Sequence, residues 1–152
     1  MTSVSVELSR IVGSAESLLR QVGEDESAKP VLVGGWSRKQ VLGHLIDSAS
    51  NNHQRFVRAA LQSSLDFPAY DQESWSRIQG AQEVPWPVLI ALWANYNRLL
   101  AHVIAQLPAD KQEVVCRIGD NQPVTLRFLV EDYLRHLLHH LAQIGGVEHA
   151  RN

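Results

Sequence analysis

Apolar residues recur at helical spacing in four long blocks of the chain, and polar or proline-containing stretches separate these blocks. The first block predicts a helix from about Val4 to Gln21, which ends before the polar stretch GEDESAKP. The third block predicts a helix from about Trp86 to Gln106, with Pro87 in the first turn, where proline is tolerated.

The second helix has a clear start signal. Ser37 is a favourable N-cap, and Gln40 three residues later completes a capping box. Apolar spacing then continues to about Ser63, so the sequence predicts a helix of roughly 25 residues here.

The last helix also begins at a capping residue, Thr125, and its apolar spacing continues to about Glu148. Gly145 and Gly146 are expected to fray its end, because glycine is a poor helix former.

Two connections between these helices carry their own pattern. The segment SLDFPAYDQESWSRIQGAQEVPWP is long, aromatic and broken by Pro68 and Gly80, with a short helical turn predicted near QESWSRI. Long loops in compact domains are often functional. The segment EVVCRIGDNQPVTL predicts a short β-hairpin around the turn GDNQP.

Four helices of about 18 to 25 residues with almost no strand predict an all-α fold, a four-helix bundle. The long connections leave two topologies open, a simple up-and-down bundle and one with crossover connections. A length of 152 residues suits one domain with its own core, spanning residues 1–152.

Composition excludes several classes of partner. A net charge of −2 gives no reason to expect nucleic acid or an anionic membrane. The sequence has no run of about 18 apolar residues and no basic start followed by an apolar block, so neither a membrane span nor a signal peptide is predicted. The single cysteine, Cys116, cannot form an internal disulfide, which fits a cytoplasmic location. Its setting, VVCRI, favours a small hydrophobic residue in a strand over a nucleophile.

The last predicted helix carries three histidines within the stretch DYLRHLLHHLAQIGG: His136, His139 and His140. At about 100° per residue, His136 and His140 lie one turn apart at the edge of the apolar face, and His139 points towards solvent. Two imidazoles at this spacing can share one metal ion, with His139 as a minor alternative ligand. Asp132 and Gln143 lie on the same side and could each hydrogen-bond a ring nitrogen.

The second helix offers a third imidazole, His44, at the edge of its apolar face. A polar stripe continues along this edge through Ser48, Asn51 and Arg55, as expected of a cavity wall inside a bundle. Three neutral imidazoles suit zinc or nickel and leave a coordination position for water or substrate. The competing interpretation is that these histidines are ordinary helix-edge residues paired with their neighbours.

The remaining histidines are assigned to other roles. His53 points towards the apolar side of the second helix and is interpreted as structural, and His102 and His149 are interpreted as surface residues.

Other side chains near the predicted site have two interpretations each. Asp47 is a candidate general base, a group that orients a metal-binding histidine, or a solvated helix charge. Arg55 could bind an anionic substrate such as the carboxylate of a thiol, or form a surface salt bridge. Aromatic and amide side chains could line the mouth of the site or pack in the core and at interfaces: Tyr70, Trp75, Asn95 and Tyr96.

The segments WSRKQVLGHLIDSASNNHQRF and LVEDYLRHLLHHLAQI resemble the DinB/YfiT-like superfamily of metal-dependent enzymes. The resemblance runs from Trp36 to Ile144 and includes YDQESW and LWANYNRLL. The family pattern is one histidine on the second helix and an HxxxH pair on the last, which His44, His136 and His140 match one for one.

The resemblance implies an up-down-down-up bundle, a bound divalent ion, commonly zinc or nickel, and frequently a homodimer. Some members resemble transferases or isomerases that use low-molecular-weight thiols such as bacillithiol or mycothiol.

Two hypotheses of function follow. The first is a metal-dependent enzyme acting on a small molecule, either a low-molecular-weight-thiol S-transferase or a hydrolase. The second is a non-catalytic, metal-stabilised bundle that acts as a stress or interaction protein. The polar stripe beside His44 favours the first, as does the shortage of cysteine, which closed structural zinc sites usually contain.

Overall fold

The computed structural model of the chain describes residues 1–32 and 34–146, and it confirms the predicted four-helix bundle. The four long helices are α1 (Thr2–Leu19), α3 (Arg38–Leu61), α5 (Trp86–Gln106) and α6 (Leu126–Ile144). Two short helices precede and follow α3 in the connections, α2 (Glu24–Ser27) and α4 (Gln72–Gln79). The strands are β1 (Ser64–Phe67), β2 (Val115–Ile118) and β3 (Val124–Thr125).

Side-chain caps start the two helices that carry the histidines. The Ser37 hydroxyl accepts a hydrogen bond from the Gln40 backbone N–H at 3.2 Å, and the Ser37 N–H donates to the Gln40 side chain at 2.9 Å. Thr125 accepts from the backbone N–H of Phe128 at 3.1 Å. Both predicted caps are confirmed, and each fixes the start of its helix by satisfying a backbone donor that has no partner within the helix.

The end of α6 differs from the prediction. The helix stops at Ile144, because Gly145 adopts a left-handed conformation with φ of 76° and closes the last turn. The predicted end near Glu148 lies outside the described residues.

Contacts between the ends of α1 and α5 establish the relative direction of these two helices. The Ser5 hydroxyl near the start of α1 donates to the carbonyl of Ala101 near the end of α5 at 2.7 Å. The indole N–H of Trp86, at the start of α5, donates to the carbonyl of Leu19, at the end of α1, at 3.1 Å. These two helices are therefore antiparallel.

Helices α3 and α5 run in the same direction. Lys39, near the start of α3, donates to the carbonyl of Gln82 just before α5 at 3.3 Å. Beyond the other ends of the two helices, Lys111 donates to the carbonyl of Gln62 at 3.2 Å.

Helix α6 runs opposite to α3, because the Arg38 side chain at the start of α3 donates to the carbonyl of Ile144 at the end of α6 at 3.3 Å. The four directions together make an up-down-down-up bundle, as the resemblance implies. The antiparallel pair of α3 and α6 brings the two histidine-bearing faces together.

A small sheet of order β1-β2-β3 closes one end of this arrangement. The antiparallel pair of β2 and β3 is the predicted hairpin, which is confirmed. The chain is mostly helical, as predicted, but strand β1 was not predicted: it forms within the aromatic segment and pairs in parallel with β2. Leu65 and Cys116 face each other in this register and are both buried. Cys116 thus fills space in the sheet as a small apolar residue.

Helix α5 is long and apolar enough, by length and composition alone, to cross a membrane. In the bundle its buried residues, among them Leu89, Trp93 and Leu100, pack against α1 and α3. Burial within a helical bundle explains the apolar composition of α5.

Candidate metal centre

Three imidazoles meet where α3 and α6 face each other. His44 comes from α3, and His136 and His140 come from successive turns of α6. His44 is 1% exposed, and its Nε2 lies 3.1 Å from Nε2 of His136. One ring nitrogen from each of the three residues lies within 4.8 Å of the other two. The HxxxH pair and the distant histidine thus form one cluster.

The spacing of these nitrogens suits a shared ion. Zinc–imidazole bonds measure about 2.0 to 2.1 Å, so two nitrogens on one tetrahedral ion lie about 3.3 Å apart. The distance of 3.1 Å between His44 and His136 is close to this value. Three nitrogen donors without a thiolate or carboxylate fit zinc or nickel better than calcium or magnesium.

The cluster also has the right protonation state. Burial, together with a smaller effect of the neighbouring imidazoles, lowers the pKa of His44 and of His136 to about 4 each. Burial also lowers the pKa of His140, although its hydrogen bond to Gln143 acts in the opposite direction. The imidazoles are therefore neutral at pH 7, as metal ligands must be.

Gln143 orients one of the three rings. Its Oε1 lies 2.8 Å from Nδ1 of His140, so Nδ1 donates this hydrogen bond and Nε2 of His140 keeps a free lone pair for a metal. The Gln143 amide nitrogen lies 3.2 Å from Nε2 of His139, which holds His139 on the outer side of the cluster. Asp132 is half exposed and accepts from Arg135 at 3.0 Å instead of bonding a ring nitrogen.

A cavity of about 380 Å³ opens beside the cluster, and His136 forms part of its wall. This volume suits a small molecule. Most of the wall comes from α3, α6 and the segment between β1 and α4, and it comprises Ser48, Asn52, Arg55, Ala69, Tyr70, Gln72, Ile118, Asn121, Leu129, Asp132, Tyr133 and His136.

The predicted polar stripe of α3 reaches this cavity in part. Ser48 and Arg55 line it, whereas the side chain of Asn51 donates to the backbone carbonyl of Asp47 at 3.0 Å. Asn52 lines the cavity instead, and its amide donates to the carbonyl of Ser48 at 2.9 Å. The sequence offered one signal for Asn52: it follows Ser48 by four residues, which places both side chains on the same face of the helix.

Asp47 lies on a different side of α3. Gln79 of α4 donates to its carboxylate at 2.6 Å, and both residues line a smaller pocket of about 130 Å³ between α3 and α5. Burial raises the pKa of Asp47 to about 6, against the hydrogen bond from Gln79. The structure does not bring this carboxyl into the cavity that His136 borders.

The aromatic and amide side chains predicted at the mouth separate into two groups. Tyr70 lines the cavity, and the ring of Trp75 lies against it with centroids 4.9 Å apart. The hydroxyl of Tyr96 lies 3.2 Å from Nδ1 of His53, which is half-buried, and Tyr96 is not part of the cavity wall.

Two other residues named from the sequence are at the surface. Asn95 is exposed and accepts a hydrogen bond from Arg98 at 3.1 Å, and His102 is exposed, as predicted. His149 lies outside the described residues. Tyr133 and Leu129, which sequence reasoning missed, enter the wall from α6.

Comparison with protein families places the chain in a known group. The family model of the DinB superfamily matches residues 7–144. A protein of Geobacillus thermodenitrificans named "Putative metal-dependent hydrolase" is 29% identical over 127 residues, which cover 81% of this chain and 70% of that protein. A Bacillus cereus protein of the same description is 22% identical over 134 residues, covering 88% of this chain and 77% of that protein.

Two solved structures share the fold. YfiT from Bacillus subtilis, described as "a probable metal-dependent hydrolase with an unusual four-helix bundle topology", superposes with a TM-score of 0.80 at 21% identity, over 92% of this chain and 83% of that one. A mycothiol-dependent maleylpyruvate isomerase superposes with a TM-score of 0.75 at 15% identity, over 97% of this chain and 62% of that one.

Proposed function

Since the chain belongs to the DinB superfamily, we propose that it is a metal-dependent enzyme that acts on a small molecule. His44, His136 and His140 would hold one divalent ion, zinc or nickel. The observation that carries this proposal is that His136 belongs both to the three-histidine cluster and to the cavity wall. A ligand in the cavity would therefore lie next to the ion.

Two reaction classes suit this arrangement. When bound, a divalent ion with three protein ligands lowers the pKa of a water or thiol in its open position towards neutrality. Hydrolysis is supported by the names of the curated relatives, and thiol S-transfer by the thiol-dependent isomerase among the structural neighbours. We propose a low-molecular-weight-thiol S-transferase or a hydrolase.

The chain's own residues would bind and orient the substrate. Ser48, Asn52 and Tyr70 present hydroxyl and amide groups to the cavity, which can fix a polar substrate by hydrogen bonds. Asn51 would act indirectly, through its hydrogen bond to the α3 backbone.

Three residues have less support in their predicted roles: Tyr96 in substrate binding, Asp132 as a partner of a histidine ring, and Asp47 as a general base. Tyr96 is bonded to His53, and Asp132 is paired with Arg135 at the rim of the cavity. The Asp47 carboxylate is bonded to Gln79 and lines a separate pocket, so a role as general base requires a proton path from the cavity to that pocket. A positioning role, through its contact with Gln79 of α4, fits the geometry better.

The alternative is a non-catalytic, metal-stabilised bundle acting as a stress or interaction protein. Such a site would have a closed coordination sphere and no adjoining cavity. The cavity beside His136 favours the enzyme. A homodimer and a cytoplasmic location remain predictions.

Elemental analysis of protein purified without an affinity tag tests the metal. We expect about one zinc or nickel per chain, and a loss of this metal in the double variant His136→Ala, His140→Ala. His139→Ala is the matched control, because His139 lies on the same turn but outside the cluster. Wild-type protein that holds no metal after incubation with excess zinc or nickel would refute the proposal.

The reaction class needs a second assay. Metal-loaded protein is compared on a panel of ester and amide substrates and on conjugation of small thiols to 1-chloro-2,4-dinitrobenzene. Turnover in the first panel alone indicates a hydrolase, and thiol-dependent turnover in the second indicates an S-transferase. Protein that is fully metal-loaded but binds neither substrates nor thiols would favour the non-catalytic alternative.

A further inference from the structure

Arg55 stands at the opposite end of the cavity wall from the histidines. It follows His44 by eleven residues on α3, which at about 1.5 Å per residue separates the two Cα atoms by about 16 Å. Both Arg55 and His136 line the same cavity. A single elongated molecule could therefore contact both ends.

The guanidinium of Arg55 lacks the partners that a half-buried cation normally has. It belongs to none of the ion pairs formed between residues that the structure describes. Among the described residues, its buried Nε has no hydrogen-bond partner, and its Nη1 makes only a long contact of 3.5 Å to Asn52. Removing a cation from water without pairing it is unfavourable.

The surroundings leave room for an anion. The ring of Phe67 lies 5.7 Å from the centre of the guanidinium and supports its flat face, while Arg55 also lines the cavity. Tyr70 lines the same cavity and offers a hydroxyl donor. The carboxylate of Asp132, also in the wall, is paired with Arg135 and does not neutralise Arg55.

From this arrangement we infer that Arg55 is the binding site for the carboxylate of an elongated organic acid whose reacting end lies at the histidines. The inference rests on the proposed function for the position of the reacting end. The guanidinium and the Tyr70 hydroxyl bind the carboxylate, and Phe67 holds the guanidinium in place. The substrate class is thus a small molecule with its anionic group roughly 10 Å from the reacting atom, given the spacing on α3 and the reach of an arginine side chain.

The test uses two thiols of equal length, 8-mercaptooctanoate and 8-mercaptooctanol, titrated calorimetrically into the zinc-incubated full chain. We expect wild-type protein to bind the carboxylate about 10 to 100 times more tightly than the alcohol, as charge-assisted hydrogen bonds predict. Arg55→Gln should remove this preference by lowering the affinity for the carboxylate to about that for the alcohol.

Two further variants control for charge and folding. Arg58→Gln removes the same charge from the same helix, but Arg58 is exposed and bonded to Gln54, so the preference should persist. Arg55→Lys keeps the charge but loses the planar fork, and we expect it to recover only part of the preference. Thermal melts of every variant check that each chain is folded.

The outcomes separate this inference from the metal proposal. Equal binding of the two thiols by wild-type protein, failure of both to bind, or a preference that survives Arg55→Gln in folded protein would overturn the carboxylate site. Zinc content is measured on the same samples. Protein without zinc that still prefers the carboxylate through Arg55 would refute the metal proposal and leave the carboxylate site standing.

Discussion

Buried polar groups in two regions of this bundle differ in whether other groups of the protein hydrogen-bond them. In the core between α5 and α6, Asn97 is 0% exposed, donates to the carbonyl of Trp93 at 2.9 Å and accepts from the hydroxyl of Tyr133. Along the seam between α3 and α6, one nitrogen from each of three imidazoles lies close to the other two, and Arg55 has a buried N–H with no partner in residues 1–32 and 34–146.

This difference distinguishes polar groups that stabilise the fold from polar groups that belong to the proposed site. A polar group that serves the fold is satisfied by the protein itself, as Asn97 is by Trp93 and Tyr133. We propose that the groups along the seam are instead satisfied by bound ligands, the imidazoles by a metal ion and Arg55 by an anion. The indole N–H of Trp93 is also buried without a partner, but it is a neutral donor, so its cost is smaller than that of a cation.

The largest predicted contrast is the response to zinc. A ligand that binds only the folded state at 1,000 times its Kd stabilises the protein by about 4 kcal/mol. We expect wild-type protein to gain stability of this order in denaturant titrations with excess zinc, and His44→Ala to gain almost none. An equal gain in both proteins would show that zinc binds elsewhere.

The pH dependence of the metal-free protein comes next. Because the pKa values of His44 and His136 are about 4 in the folded chain and near 6.5 when unfolded, the unfolded chain binds more protons between these pH values. The stabilisation that comes from these two histidines is therefore fully present above about pH 6.5, falls as the pH drops to about 4, and then levels off. His44 alone contributes about 3 kcal/mol to this fall.

Asp47 opposes this trend, since its pKa is raised from 3.8 to about 6 and the folded chain binds the extra proton. The net fall should therefore be steeper in Asp47→Asn and shallower in His44→Gln. Urea unfolding at pH 7 and pH 4.5 measures this fall in the free energy of unfolding. A metal-free protein that is as stable at pH 4.5 as at pH 7 would contradict the burial of the histidines.

Loss of the hydrogen bond between Asn97 and Tyr133 in the core should lower the stability of the protein without affecting metal binding at the seam. Asn97→Leu leaves the Tyr133 hydroxyl buried without its partner, which costs about 1 to 3 kcal/mol of unfolding free energy. Zinc content should not change, because Asn97 is not bonded to any of the three histidines; its partner Tyr133 borders the cavity but is not a metal ligand. Urea unfolding measures the loss of unfolding free energy, and elemental analysis of the same sample measures the zinc content. Loss of zinc in Asn97→Leu would contradict the claim that the core and the seam act independently.

The smallest effect is expected at Arg55. Replacing it with methionine keeps the apolar stem and removes an unpaired charge, so the ligand-free protein should be unchanged or up to about 1 kcal/mol more stable. Urea unfolding measures this. A loss of more than about 1 kcal/mol would mean that Arg55 serves the fold.

Local signals in the sequence predicted the elements that position the site. The Ser37 and Thr125 caps depend on residues three positions apart, and the HxxxH spacing depends on one helical turn, so both can be recognised from short stretches. The length and spacing of the four apolar blocks were enough to predict the bundle.

The features that were not predicted correctly depend on contacts between residues far apart in the sequence. Strand β1 has four residues and pairs with β2 about fifty residues later, so its own sequence carries little signal. Tyr96 and Asp47 lie at helix edges that the sequence could not assign to a partner. Packing of α5 and α4 against α3 turns them towards His53 and Gln79 instead of the cavity.

X-ray absorption spectroscopy of the zinc-loaded chain tests the central claim most directly. The three-histidine site predicts about three imidazole nitrogens at about 2.0 to 2.1 Å, together with one or two other light ligands that an added small thiol replaces with sulfur. A sphere closed by four protein ligands and unchanged by the thiol, or zinc bound without imidazole, would contradict an open catalytic metal centre.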